Sequence, residues 1–278
     1  MLSGPFFSRQ WMGTTETFEE ANVIMLGVGF DGTCCNIPGS RFAPETLRLA
    51  SWAIEDYSPR FDKHLDDVKF FDMGDLELSP ANVAWTMNVI EKNVREIYST
   101  GKKYFGIGGE HSVSFPAIKA CFEKYPDLKV IHFDAHTDLR KEYLEEKYSH
   151  AAVMYHVGEL IGFENLKQVG IRSGTKEEFE IMKKYNTRLS SPEELLALKG
   201  ENVFVSVDVD VLCTSVMPGT GTQEAGGFMF NELMSWFEKL ADLNIVGADV
   251  VELAPDIDKT GASTAVCAKI IRELLMTM

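Results

Sequence analysis

Three potential metal ligands stand two residues apart in Asp134-Ala135-His136-Thr137-Asp138. The apolar run from Leu128 to Ile131 leads into them and reads as a buried strand. In an extended segment, residues i, i+2 and i+4 point the same way. Asp134, His136 and Asp138 then converge on one point just past the strand end. Two carboxylates and an imidazole suit a divalent ion such as Mn²⁺, Fe²⁺ or Zn²⁺, and a carboxylate-rich set leans toward Mn²⁺. Taken alone, the stretch fits a solvated turn before a helix equally well.

The surrounding elements decide between these readings. Strands are expected at Ala21 to Val28, Lys69 to Met73, Tyr104 to Ile107, Lys129 to Phe133, Asn165 to Val169, Val203 to Val207 and Ile245 to Val250. Helices are expected after Pro44, at Asn82 to Tyr98, Phe115 to Lys124, from about His150, and at Thr175 to Tyr185. Three more follow, at Pro192 to Leu198, Phe230 to Leu240 and Ser263 to Met276. This alternation predicts an α/β fold with a mainly parallel central sheet of about eight strands and helices on both faces. No repeat, low-complexity tract or Pro/Ser-rich linker divides the 278 residues, so a single domain over 1–278 is expected.

In such sheets ligands bind beyond the carboxyl ends of the strands. Gly108-Gly109-Glu110-His111-Ser112 follows one strand end, Asp208-Val209-Asp210 another, and Glu252 a third. With Asp134, His136 and Asp138, imidazoles and carboxylates from four strands gather at one edge. Each piece has a plainer reading: Gly108-Gly109 as a tight turn, His111 as a hydrogen-bonded structural residue, Asp208 and Asp210 as an exposed strand end. Two carboxylates on a buried strand, however, repel each other without a cation. His132 lies out of phase with the facing set and is read as structural. His64 and His156 lack an acidic partner at ligand spacing and are read as surface or core residues.

The segments Gly108 to Ser112, Asp134 to Asp138 and Ser206-Val207-Asp208-Val209-Asp210 closely resemble, in order, the three signatures of the ureohydrolase family, the arginases and agmatinases. Pro38-Gly39-Ser40-Arg41-Phe42 and Pro218-Gly219-Thr220-Gly221-Thr222 extend the likeness over nearly the whole chain. The resemblance implies an arginase-like fold and two Mn²⁺ per subunit. One ion falls to His111, Asp134, Asp138 and Asp208, the other to Asp134, His136, Asp208 and Asp210, with Asp134 and Asp208 bridging. It also implies that Asp138 orients a nucleophilic water, that Glu252 holds the guanidinium, and that His150 moves protons at the site mouth. The implied substrate is a small guanidino molecule, with agmatine giving putrescine and urea; an arginase, a guanidino-acid ureohydrolase and a non-catalytic metal-binding member are the alternatives. A single-zinc amide hydrolase suits the paired Asp208 and Asp210 less well.

The loop from Leu139 to His150 looks like the agmatinase version, and its Glu142, Glu145 and Glu146 are candidates for favouring a cationic tail. Two departures stand out: Leu212-Cys213-Thr214 where the family has Leu-Asp-Pro, and Gln223-Glu224-Ala225 where Pro-Glu-Pro is usual. The first is expected to loosen the loop behind the metals, and Cys213 is redox-sensitive only if it is rich in thiolate. Relatives of this kind form trimers or hexamers, so a homo-oligomer is expected. The net charge of −15 argues against nucleic acid or an anionic membrane as partner. Five cysteines without C-x-x-C spacing, and Met1 to Trp11 without a leader pattern, lead to the expectation of a cytoplasmic protein.

Overall fold

The computed structural model describes residues 9–278; residues 1–8, part of the stretch read above for a leader, lie outside it. Seven strands form one parallel sheet: β1 (Val23–Val28), β2 (Phe70–Asp75), β3 (Lys103–Gly108), β4 (Lys129–Phe133), β5 (Leu166–Val169), β6 (Asn202–Asp208) and β7 (Asn244–Val251). Their order is β2-β1-β3-β7-β6-β4-β5. The sheet is thus one strand short of the eight or so expected; the other strands described are the two-residue pieces Tyr57–Ser58 and Lys63–His64, which pair antiparallel apart from it.

Helices cover both faces, as near-continuous apolar strands require. On one face lie α1 (Ala43–Ser51), α6 (Phe230–Leu240) and α7 (Ala262–Leu275), whose Leu47, Phe237 and Ile271 share a core with the strand residues Met25, Phe105 and Val205. On the other lie α2 (Val83–Ser99), α3 (Ser114–Lys124), α4 (Val153–Ile161) and α5 (Lys176–Tyr185), whose Ile90, Ile118, Val157 and Met182 meet Ile24, Tyr104, Val130 and Phe204. Successive strand residues thus feed opposite cores, the period-two geometry of a buried strand.

Local chemistry fixes the helix starts. The Asn82 side chain accepts from Trp85 N, and Thr175 forms a reciprocal capping box with Glu178. Pro44 occupies the first turn of α1, where a missing N–H costs nothing. The buried Arg48 guanidinium then ties α1 to β2 through two bonds to Asp72, of 2.7 and 2.9 Å.

One glycine positions the site directly. The chain after β3 runs against the Phe30 backbone: Glu110 N donates to Phe30 O at 2.7 Å and Gly109 N to Val28 O at 2.8 Å. A Cβ at Gly109 would collide with the Phe30 carbonyl oxygen and amide nitrogen. Overpacking typically costs about 1–3 kcal/mol, and backbone cannot yield as a side chain does. Gly109→Ala is therefore expected to lower the unfolding midpoint by several degrees and to displace Glu110 and His111; calorimetry beside wild type checks it, and an unchanged midpoint would contradict this packing.

Candidate active site

Four adjacent strands in the middle of the sheet, β3, β7, β6 and β4, end side by side and deliver the candidate residues. Asp134 is the first residue past β4, Asp208 the last of β6, and Asp210 sits in the 3-10 turn Val209–Val211. His111 opens a 3-10 turn, His111–Val113, past β3, and Glu252 follows β7 directly. The buried His111 Nδ1 lies 3.0 Å from Asp134 Oδ2, 3.3 Å from Asp138 Oδ2 and 3.4 Å from Asp208 Oδ2. His136 Nδ1 lies 2.9 Å from Asp210 Oδ2 and 3.5 Å from Asp134 Oδ1. All six residues named from the sequence therefore meet, around two points that share Asp134.

Asp138 reaches this place by a route the spacing did not suggest. The strand stops at Phe133, and Asp138 adopts a left-handed backbone, φ 52°. Its carbonyl accepts from Met154 N at 3.0 Å and Tyr155 N at 3.1 Å, satisfying amides that the start of α4 leaves open. Glu252 is also left-handed, φ 70°; its amide donates to Gly109 O, and its Oε1 accepts from His111 N at 2.7 Å. A left-handed non-glycine residue costs roughly 1–2 kcal/mol. Here both strained residues carry carboxylates facing one cavity, a pattern characteristic of functional sites.

The fit to metal follows from the donor set. His111 Nδ1 is buried and has no hydrogen-bond partner of acceptable geometry, although three carboxylates face it. Burial and the charges of Asp210 and Asp134 push Asp208 well above the usual carboxylate range; burial and Asp134 push Asp210 the same way. Burial also opposes ionisation of Asp134, but His132, His111 and His136 outweigh it and hold it well below that range. A cluster so short of positive charge, built from carboxylate oxygens and imidazole nitrogens, suits divalent cations. The groups whose ligand atoms all lie within 4.8 Å of one another are His111, His132, Asp134 and Asp138, and Asp134, His136 and Asp210. Asp208 falls outside both groups and approaches the first through His111.

His132, read as structural, is thus part of the cluster. Its Nε2 stands 2.7 Å from Asp134 Oδ2, and its Nδ1 faces the Gln168 amide at 3.1 Å. The amide donates to Nδ1, so Nε2 carries the proton and donates to Asp134. His64 is exposed and pairs with Asp56, while His156 is buried with Nε2 on Lys147 O.

His111, His136, Asp138, Asp208, Asp210 and Glu252 line a cavity of about 340 Å³ that also receives His150, Arg140, Tyr143, Glu178 and Glu224. Burial lowers the His150 pKa from its ordinary value. Burial and the neighbouring Glu110 raise Glu252 to about 8, and burial raises Glu110 to about 7. Glu142, Glu145 and Glu146 do not line the cavity; Glu178 and Glu224, distant in sequence, do. Locally Glu178 reads as the capping-box partner of Thr175 and Glu224 as part of the 223–225 departure, and neither pattern points to a cavity wall.

The two departures are held without the missing Asp-Pro. Arg172 donates to the carbonyls of Asp210 at 2.8 Å, Ala225 at 2.9 Å and Glu224 at 3.0 Å, binding the 223–225 loop to the Asp208–Asp210 segment. Cys213 N donates to Phe228 O at 2.8 Å. Hydrogen bonding from Ser215 lowers the Cys213 thiol below its ordinary value, but Cys213 does not line the cavity. Arg172→Met leaves the part-buried Asp210 and Glu224 carbonyls without this donor and is expected to cost about 1–3 kcal/mol. Urea-denaturation midpoints check it; a loss under about 0.5 kcal/mol would mean that the loop is held by other contacts.

The Arginase family pattern matches residues 21–277. A curated agmatinase of Bacillus subtilis is 42% identical over 98% of this chain and 97% of its own length. A crystal structure of a putative agmatinase from Clostridium difficile superposes with TM-score 0.91 at 44% identity, covering 94% of this chain and 98% of that one. The agmatine ureohydrolase of Thermoplasma volcanium gives TM-score 0.87 at 27% identity over 98% and 94% of the two chains. With that match over nearly the whole chain, and candidate site residues at four neighbouring strand ends of the same fold, the chain belongs to the arginase family.

Proposed function

We propose that the chain, acting as one unit over 1–278, is a binuclear manganese hydrolase that cleaves agmatine to putrescine and urea. The observation that carries this reading is the convergence of His111, His136, Asp138, Asp208, Asp210, Glu252 and His150 on one cavity, with the buried Asp134 against His111 and His136. His111, Asp134, Asp138 and Asp208 would hold one ion, and Asp134, His136, Asp208 and Asp210 the other. Two divalent cations held there would lower the pKa of a bound water and so would supply a nucleophile near neutral pH.

The remaining work belongs to side chains. Asp138 orients the attacking water and takes its proton. Glu252, pinned by the His111 amide, pairs with the guanidinium and sets its carbon over the nucleophile. His150 delivers a proton to the departing amine, which leaves as putrescine. Glu178 and Glu224 on the cavity wall favour a cationic tail, and Arg140, 3.8 Å from Glu178, favours a carboxylate. Two carboxylates against one guanidinium support agmatine; Arg140 is the observation behind the second reading, a guanidino acid. No helix among the described residues is long and apolar enough to cross a membrane; the protein proposed is a cytoplasmic homo-oligomer, a trimer or hexamer.

Urea release from agmatine, arginine and 4-guanidinobutyrate, with and without Mn²⁺, tests the reading. Manganese-dependent urea from agmatine is expected; urea from 4-guanidinobutyrate alone would transfer the tail contact to Arg140. Glu252→Gln is expected to lower kcat/KM at least about 100-fold, since it removes a charge aimed at the reacting group. Added Mn²⁺ at about 100 times its Kd should stabilise the fold by about 2.7 kcal/mol, read as a rise in the thermal midpoint. A midpoint indifferent to Mn²⁺ would contradict the metal assignment.

A further inference from the structure

The proton-carrying nitrogen of His150 is set by groups that no part of the preceding mechanism uses. Glu110 is fully buried, and its carboxylate accepts from Thr33 N at 2.8 Å, Thr33 Oγ1 at 2.5 Å and Ser112 Oγ at 2.5 Å. Thr33 Oγ1 in turn lies 3.0 Å from His150 N and 3.2 Å from His150 Nδ1. A hydroxyl has one proton and two lone pairs. In the ionised form of Glu110, which accepts from all three donors, the short contact directs that proton toward Glu110 and leaves the Thr33 lone pairs for the His150 backbone N–H and for Nδ1. Nδ1 must then carry a proton. On the opposite side of the ring, Nε2 faces Cys35 Sγ at 3.4 Å, a thiol that lines the cavity.

We propose that Glu110 and Thr33 are positioning residues that lock His150 as its Nδ1–H form and leave Nε2 as the one atom that exchanges protons with substrate. This rests on the functional reading above. In the reaction Nε2 takes a proton from the cavity and gives it up to the leaving amine nitrogen, while Nδ1 keeps its proton, donated to Thr33 Oγ1, throughout. Without the lock the neutral ring is free to carry its proton on Nε2, and in that form Nε2 has no lone pair with which to collect the next proton. One other hydroxyl is near: Ser149 Oγ lies 3.4 Å from Nδ1, and if it donated there Nδ1 would be bare. Its greater distance makes it the weaker partner.

The ring nitrogens of ¹⁵N-histidine-labelled full-length protein decide it, first without metal and then with diamagnetic Zn²⁺, with His150→Asn identifying the signal. The Nδ1–H pattern is expected in wild type, Thr33→Ser and Ser149→Ala, and its loss in Thr33→Val. Thr33→Val is also expected to lower kcat about tenfold to a hundredfold with KM within about twofold, and Thr33→Ser to restore it. An Nε2–H ring in wild type, or a Thr33→Val ring identical to wild type, would overturn the proposal. If wild type released urea from no guanidino substrate, the functional reading would fail, while the ring signals would still decide the tautomer.

Discussion

Buried carboxylates repel one another, and that repulsion organises this protein. Asp134, Asp138, Asp208 and Asp210 are each under a tenth exposed and crowd two imidazoles at the edge of one sheet. Taking like charges out of water costs several kcal/mol per ion unless opposite charge comes with them. The histidines answer this only in part: Asp134 stays ionised, while Asp208 and Asp210 are driven toward their neutral forms. The fold thus stores an electrostatic demand, and the order β3-β7-β6-β4 focuses it on a volume a few ångströms across. Divalent cations would satisfy the demand, so the same groups that weaken the bare fold would strengthen the loaded one.

Holding such a cluster requires a rigid frame. The four strands are buried on both faces, and the ligands sit within a few residues of where the strands end. Two of the functional carboxylates, Asp138 and Glu252, take left-handed backbone that their type disfavours. Each is pinned by main-chain bonds, to α4 in one case and to the Gly109–His111 turn in the other. Behind the cluster, Gln168 and Thr187 orient His132, which reaches Asp134, and Ser206 links His111 Nε2 to the buried Asp249. Ligand direction is fixed by such outer hydrogen bonds as much as by the ligands themselves.

Much of this is legible in the sequence because it is local. Apolar runs ending in Gly, Asp or His give the strands, and three short motifs give the six candidate ligands with His150 and Glu252 around them. What escapes the sequence depends on backbone conformation or on long separations. The i, i+2, i+4 rule places Asp138 on the right side for the wrong reason, since a left-handed turn brings it there. His132 looks out of phase but reaches Asp134 by bending back over two residues. Thr33 and Glu110 are 77 residues apart, and only the packing of the Phe30 loop against Gly109 joins them. The acidic loop residues Glu142, Glu145 and Glu146 look suited to a cationic tail, yet Glu178 and Glu224 are the ones that face the cavity.

Anomalous diffraction at the manganese edge, from crystals of the full chain grown with Mn²⁺, tests the central claim most directly. The account predicts two peaks about 3.5–4 Å apart, one beside His111 and one beside His136, with Asp134 between them. A single peak would leave Asp208 and Asp210 without the cation their burial requires. No peak in that cavity, with an intact fold, would contradict the account altogether.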